Sequence, residues 1–439
     1  MTLDRNIAEL DDFTDNQFLN LGYNLEHRFS KSWKIRNAFR FSDRNVKQLG
    51  ALPLFFDEDT GIVTRAIGDR EVDTQNYALQ TNTVGNFNTG AVKHTLLAGV
   101  DLSRTDEIEL TGFGSEFFPL NIFDPVYGLI PESASEDLPI FSDTDTQTDR
   151  LGIYLQDQIA FSEQIKLLAG VRYDTIERTS LDNPTASEPN SSEIVQNDDA
   201  FTPRVNLVYQ PIPEISLYGS YSQSFNPDNF STATSDGDFI EPETGEGFEF
   251  GVKGEFLDRK LSATLAYFNI TKQNVATPDP VNPLFSIATG EQKSQGIEFD
   301  LGGEITPGWN IIASYAYIDA EVSEDNDVSV GNRLFNTPEH SASLWTTYEI
   351  QRGSLQGLGF GGGFNFVGER EGDLANSFQI DSYFLTNAAV FYKRDDWRFA
   401  LNFKNLFDID YIVSTSNSRT NGSDPGAPFT VIGSVSYKF

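Results

Sequence analysis

The connections in this 439-residue chain alternate strictly between short and long, and they separate segments in which apolar and polar residues take turns. Short connections fall near residues 30–32, 87–91, 162–164, 211–214, 257–259, 304–308, 351–354 and 394–396. Long ones fall near 44–69, 106–146, 177–199, 226–242, 276–291, 321–337, 369–379 and 414–427. Successive side chains of a strand point to opposite faces, so a period-two segment is a strand with one apolar face. In the last segment Phe429, Val431, Gly433, Val435, Tyr437 and Phe439 share a face opposite Thr430, Ser434, Ser436 and Lys438. Trp397, Phe399, Leu401 and Phe403 oppose Arg398, Asn402 and Lys404 in the same way. About seventeen such segments follow one another, many longer than the roughly 9–11 residues a tilted strand needs to cross a bilayer. A soluble sandwich has no reason to sort its connections by length, whereas a transmembrane barrel has short periplasmic turns and long extracellular loops. The expected fold is all-β, a transmembrane antiparallel up-and-down β-barrel of the outer-membrane type.

Two further patterns follow the same up-down phase. Trp33, Trp309 and Trp397 each open a segment just after a short turn, and Phe29, Phe161, Tyr209 and Phe256 close segments just before one. Such rings form an aromatic girdle at one membrane interface. The formal charge of −34 collects in the long connections, as in Glu132, Glu136, Asp137, Asp143, Asp145 and Asp149. It excludes nucleic acid as a partner, since a binder needs a basic face. No run of about 18 apolar residues occurs, which excludes membrane-spanning helices. The absence of cysteine removes disulfides, thiolate metal sites and thiol nucleophiles together. Met1–Leu10 has no apolar core and does not read as a secretory signal peptide.

Catalytic and metal chemistry find no focus. His27, His94 and His340 are dispersed, and solvated or structural roles suit them better than paired ligation. Ser142–Asp149 and Glu324–Asp327 lack a full calcium-loop spacing, so loop solvation is the better reading. Gly361, Gly362 and Gly363 lie within a strand pattern, where close packing or curvature explains them and a phosphate cradle does not. No localised nucleophile and base are marked, and the chain is not read as an enzyme.

Several segments resemble, in order, the barrel of TonB-dependent siderophore receptors of the ferrichrome or hydroxamate type. They include KHTLLAGVDLS at 93–103, GIYLQDQIAF at 152–161, ISLYGSYSQSFNP at 215–227, GEQKSQGIEFDLGGEITPGWNIIASYAYIDAEV at 290–322 and NFKNLFDIDYIVS at 402–414. The resemblance implies an outer-membrane receptor for ferric siderophore uptake in a Gram-negative-type bacterium. It also implies that residues 1–439 are a partial barrel domain, about 17 of a presumed 22 strands, with 1–14 a remnant of an extracellular loop and no plug domain. Iron would arrive within the siderophore, so no protein cofactor is implied. Outer-membrane lipid and lipopolysaccharide would be neighbours, and the TonB complex a partner only of a full-length receptor. Phe439 resembles the terminal aromatic read by barrel-assembly machinery. Candidate contacts to the chelate are loop rings, namely Phe55, Phe56, Phe113, Phe117, Phe118, Tyr127, Phe225 and Phe230, since flat rings suit an amphipathic ligand. The competing role for each ring is packing one loop on another. Competing functions for a chain without a plug are a passive porin-like channel and a non-transporting surface binding protein.

Overall fold

The computed structural model describes residues 7–135, 137–185, 188–227, 234, 240–282, 285–418 and 422–438. Phe230 and Phe439 lie outside them. The chain runs as β1 (Phe13–Arg28), β2 (Trp33–Asp57), β3 (Ile62–Thr89), β4 (Val92–Phe113), a short β5 (Phe118–Asn121), β6 (Ile140–Ala160), β7 (Ile165–Asp182), β8 (Ser192–Ile212) and β9 (Ile215–Asn226). It continues as β10 (Glu243–Phe256), β11 (Leu261–Pro278), β12 (Ser286–Thr306), β13 (Trp309–Glu324), β14 (His340–Glu349) and β15 (Leu358–Val367). Then follow β16 (Arg370–Glu371), β17 (Gln379–Ile380), β18 (Tyr383–Arg394), β19 (Trp397–Lys404), β20 (Ile412–Thr415), β21 (Ser423–Pro425) and β22 (Thr430–Tyr437). Eighteen of these strands belong to one sheet, whose described ladders are antiparallel; the pairs β16–β17 and β20–β21 stand apart. Seventeen of the eighteen are the expected strands, and β5 is added within the long 106–146 connection.

Contacts divide the chain into two compact units. The described residues of the first lie within 7–159 and 168–203, and those of the second within 160–167, 204–234 and 240–438. In the first, the cross-strand row Tyr23, Phe39, Leu79, Leu102 carries one apolar face over β1 to β4. In the second, Val252, Leu265, Phe299, Tyr315, Ala342, Phe366 and Phe384 do so over seven strands. Apolar rows left exposed on a sheet are surfaces for lipid. The opposite face is polar: Glu26 accepts hydrogen bonds from Arg28, Lys34 and Arg36 at 3.0, 3.1 and 2.9 Å. β1 pairs with β2 and β22 with β19, and all 16 residues of β1 are exposed.

Local chemistry fixes the short turns. At 29–33 and at 161–165 the same device recurs: Phe29 N–H donates to Trp33 O and Phe161 N–H to Ile165 O, both at 3.0 Å. The Ser30 hydroxyl accepts the N–H groups of Ser32 and Trp33, and the Ser162 hydroxyl those of Gln164 and Ile165. Serine in this role is a side-chain mimic of a backbone turn. Within β15, a Cβ on Gly361 would meet the Trp345 ring at 2.7 Å, and one on Gly363 would meet Leu344 O at 2.0 Å. Close packing accounts for these two glycines.

The expected long connection at 44–69 is instead strand. The β2–β3 ladder continues through Lys47↔Glu71 and Leu49↔Asp69 to Asp57↔Ile62, leaving only a four-residue turn. Asp57 closes that turn, its O accepting Gly61 N–H at 2.8 Å and its Oδ1 accepting Asp59 N–H at 3.0 Å, and Gly61 has φ +70°. β2, β3 and β4 are 25, 28 and 22 residues long. Only about 9–11 residues of each are needed to cross the membrane, so the remainder projects beyond it at the long-loop end.

Candidate functional site

The projecting part of the first unit builds a small core of its own. Val46, Ala51, Val63, Ile67, Val72 and Leu120 are buried there by protein alone. β5 adds to the edge of β3, with Val63 opposite Leu120 and Arg65 opposite Phe118. The 106–146 connection is thereby laid along the hairpin, and Ile122 N–H and Gly114 N–H donate to Gly61 O and Ile67 O at 2.9 and 2.8 Å. At the centre is Arg65, 1% exposed, whose Nη2 lies 2.7 Å from Glu9 Oε1. Its Nη1 donates to Ile7 O at 2.6 Å and its Nε to Phe118 O at 3.4 Å. Glu9, whose side chain is 8% exposed, also accepts Gly128 N–H at 2.7 Å. One ion pair thus ties residues 7–9, the hairpin and the 118–128 segment together.

This assembly gathers six of the eight candidate rings. Phe55 and Phe56 are strand residues near the hairpin tip, opposite Thr64 and Val63. Phe55 is 65% exposed and Phe117 61%. Phe56, Phe113, Phe118 and Tyr127 are half-buried, with Phe113 N–H donating to Pro139 O at 3.0 Å. A cavity of ≈190 Å³ lies among Ile67, Gly114, Glu116, Phe118, Ala134 and Pro139. Phe225 belongs to the second unit, half-buried opposite Thr244. A groove of ≈640 Å³ also occurs where Phe39, Tyr77, Leu102 and Tyr173 meet the Arg104–Asp149 pair. Its lining includes Phe39, Leu79 and Leu102 of the apolar row and none of the eight candidate rings.

Two carboxylates on the projecting hairpins are held in ion pairs. Glu109 is held by Arg70 at 2.6 Å and Glu71 by Lys47 at 2.5 Å. Each partner holds its carboxylate below the usual glutamate range. Asp143 accepts from Asn183, and Asp325 caps the N–H groups of Asp327 and Val328, so these acidic side chains serve local structure. Among the described residues no group of three or more His, Asp and Glu is placed to hold a metal. His94 bonds Asp157 at 2.6 Å, and His340 bonds the Tyr315 hydroxyl at 3.0 Å.

In the second unit three connections lock to one another through residues that sequence reasoning did not single out. Asn336 donates from Nδ2 to Thr415 O at 2.7 Å and accepts Thr415 N–H at 2.9 Å. Asn376 makes the same reciprocal pair with the backbone of Arg333, at 2.9 and 2.8 Å. Both asparagines have positive φ, 58° and 52°. Asparagine tolerates that region and can mimic a backbone strand partner. The seven girdle rings sit beside their turns and are 40–64% exposed; Trp309 Nε1 donates to Thr346 Oγ1 at 2.9 Å.

Residues 2–406 match the family described as TonB dependent receptor-like, beta-barrel. The chain belongs to the TonB-dependent receptor β-barrel family. This places it in the outer membrane of Gram-negative bacteria and among receptors rather than enzymes. It is 34% identical over 416 residues to the metal-pseudopaline receptor CntO of Pseudomonas aeruginosa, covering 92% of this chain and 57% of that protein. It is 30% identical over 448 residues to the ferrichrome outer membrane transporter/phage receptor of Escherichia coli K12, covering 95% and 58%. The siderophore receptor PiuA from Acinetobacter baumannii superposes with a TM-score of 0.85 at 25% identity, covering 98% of this chain and 65% of that one. The receptor chain therefore spans less than two thirds of the length of these relatives.

Proposed function

We propose that this chain is the barrel part of an active-transport receptor that captures a ferric siderophore or a related metal chelate. The chelate would be met by the extracellular assembly of the first unit and passed inward by energy delivered through TonB in a complete receptor. The observation that carries the reading is the exposure of Phe55 and Phe117 on an assembly otherwise locked by the buried Arg65–Glu9 pair. Rigidly mounted aromatic rings suit an apolar or amphipathic ligand, because little ordering is left to oppose binding. Hydroxamate chelates of the ferrichrome class are favoured, with the ferrichrome transporter among the relatives in support. The CntO relative makes a metal–pseudopaline complex the competing cargo.

Iron chelates quench nearby tyrosine and tryptophan emission, which supplies the test. The purified chain in detergent is titrated with ferrichrome, ferrioxamine B and the iron-free forms. Saturable quenching by one ferric chelate, weakened about tenfold or more by a Phe55→Ala/Phe117→Ala double substitution, is expected, corresponding to the loss of roughly 1.4 kcal/mol. Saturable binding that the double substitution leaves untouched would move the site elsewhere. Ion conductance in liposomes without chelate binding would favour a passive channel.

A further inference from the structure

The apolar face of the first unit is not smooth. The groove of ≈640 Å³ at the Arg104–Asp149 pair opens on it, lined from β2, β3, β4, β6, β7 and β8. The ladders fix the side. Phe39, Leu79 and Leu102 are cross-strand neighbours in the row that meets lipid, and Phe41, Tyr77 and Arg104 form the next row of the same face. Arg104 carries that face on to β6, its Nε and Nη2 donating to the two Asp149 oxygens at 2.7 Å each. Side chains two apart on a strand share a face, so Leu151 lies with Asp149. On β7 and β8 the Tyr173 and Phe201 rings meet at 4.6 Å, with Phe201 67% exposed. Glu177 shares the face of Tyr173, and Asp199 that of Phe201.

Counted back from the β3–β4 turn at Thr89–Val92, the roughly 9–11 residues that cross a bilayer end at residues 78–80. The groove therefore lies where lipid tails give way to headgroups, on the long-loop side. Leu79, Leu102 and Leu151 make one part of it apolar. The other part is polar and acidic: Arg104 and Asp149 neutralise one another, which leaves the exposed carboxylates of Glu177 and Asp199. The remaining charged lining residues, Arg150 and Asp198, belong by alternation to the opposite face. Such a rim repels an anionic headgroup and attracts an ammonium. We propose that this groove is a lipid site that takes an acyl chain on Leu79, Leu102 and Leu151 and the ammonium of an amine-bearing headgroup at Glu177 and Asp199. Its volume falls in the range of roughly 300–1,000 Å³ that small-ligand sites occupy. Apolar burial gives affinity whatever the headgroup, and the two carboxylates give the choice among headgroups.

The test is native mass spectrometry of the full chain released from a neutral detergent, titrated with lysophosphatidylethanolamine and with lysophosphatidylglycerol of the same acyl chain. The expected result is saturable retention of one lysophosphatidylethanolamine, about tenfold tighter than lysophosphatidylglycerol, a margin that two exposed ion pairs supply. Glu177→Gln with Asp199→Asn should bring the two lipids to equal affinity. Leu102→Trp fills the groove from a side chain already 45% exposed and should abolish saturable retention of both. Leu79→Trp serves if that variant does not fold. Equal or tighter retention of lysophosphatidylglycerol by the native chain overturns the proposal. So does a preference that survives loss of both carboxylates, or native affinity in Leu102→Trp. A dimer that retains no lipid and that Leu102→Trp dissociates would make the groove a contact between copies and overturn it as well.

Discussion

Replacing Arg65 by methionine isolates the contact on which the first unit's extracellular assembly turns. The side chains of Arg65 and Glu9 are 1% and 8% exposed and 2.7 Å apart, so removing the guanidinium leaves a carboxylate with little water to take its place. Breaking a buried pair this way costs about 3–5 kcal/mol. The energy is local, since Arg65 joins residues 7–9, 62–65 and 118–128. With a tenfold change for every ~1.4 kcal/mol, the opening equilibrium of these segments should rise roughly a hundredfold to a few thousandfold. Hydrogen exchange followed by mass spectrometry reads that quantity segment by segment. Amides of 118–128 should exchange faster by that factor, while those of β18 and β19 in the second unit keep their native rates. A double variant, Arg65→Met with Glu9→Leu, removes both charges and should lose less than the sum of the single losses, by roughly 0.5–3 kcal/mol. Exchange within tenfold of native in Arg65→Met, or strict additivity in the double variant, would show that the pair is not what holds the assembly.

Two more outcomes follow from the same loops. Asn336→Ala removes two hydrogen bonds and places alanine at φ 58°, which together cost about 2–3 kcal/mol; Asn336→Gly, free of the conformational part, should lose about 1 kcal/mol less. Limited proteolysis within 325–339 measures this, and equal cleavage of the two variants would remove the backbone term. Glu71 and Glu109 have carboxyl pKa values lowered by Lys47 and Arg70. A depressed carboxyl contributes fully above its unfolded value of about 4.3 and loses that contribution as pH falls through the folded value. Exchange protection of residues 46–72 should hold between about pH 8 and 5.5, fall only below roughly pH 4.5, and weaken at high salt. A decline already complete at about pH 6 would mean that other groups control the hairpin.

The strand order, the short turns and the lipid-facing rows were legible in the chain, because a half-buried strand has a period of two and a one-residue slip would turn every apolar side chain to the wrong face. Tyr23, Phe39, Leu79 and Leu102 can be put in one row from alternation alone, and the ladder puts them there. The same rule fails beyond the membrane. Between residues 44 and 69, Gly50, Pro53 and charged side chains such as Lys47 interrupt the alternation, since neither face meets lipid there, yet the ladder runs on to Asp57 and Ile62. Of the candidate rings, the sequence marked chemistry but not posture. Only packing decides that Phe55 and Phe117 stay exposed while Phe118 is drawn onto Arg65. Arg65 with Glu9, separated by 56 positions, and Asn336 with Thr415, separated by 79, carry no local signal. Alternation is a property of neighbours along the chain and so is written into it, whereas a buried ion pair or a side chain bonding a distant backbone exists only once the fold has brought the two segments together.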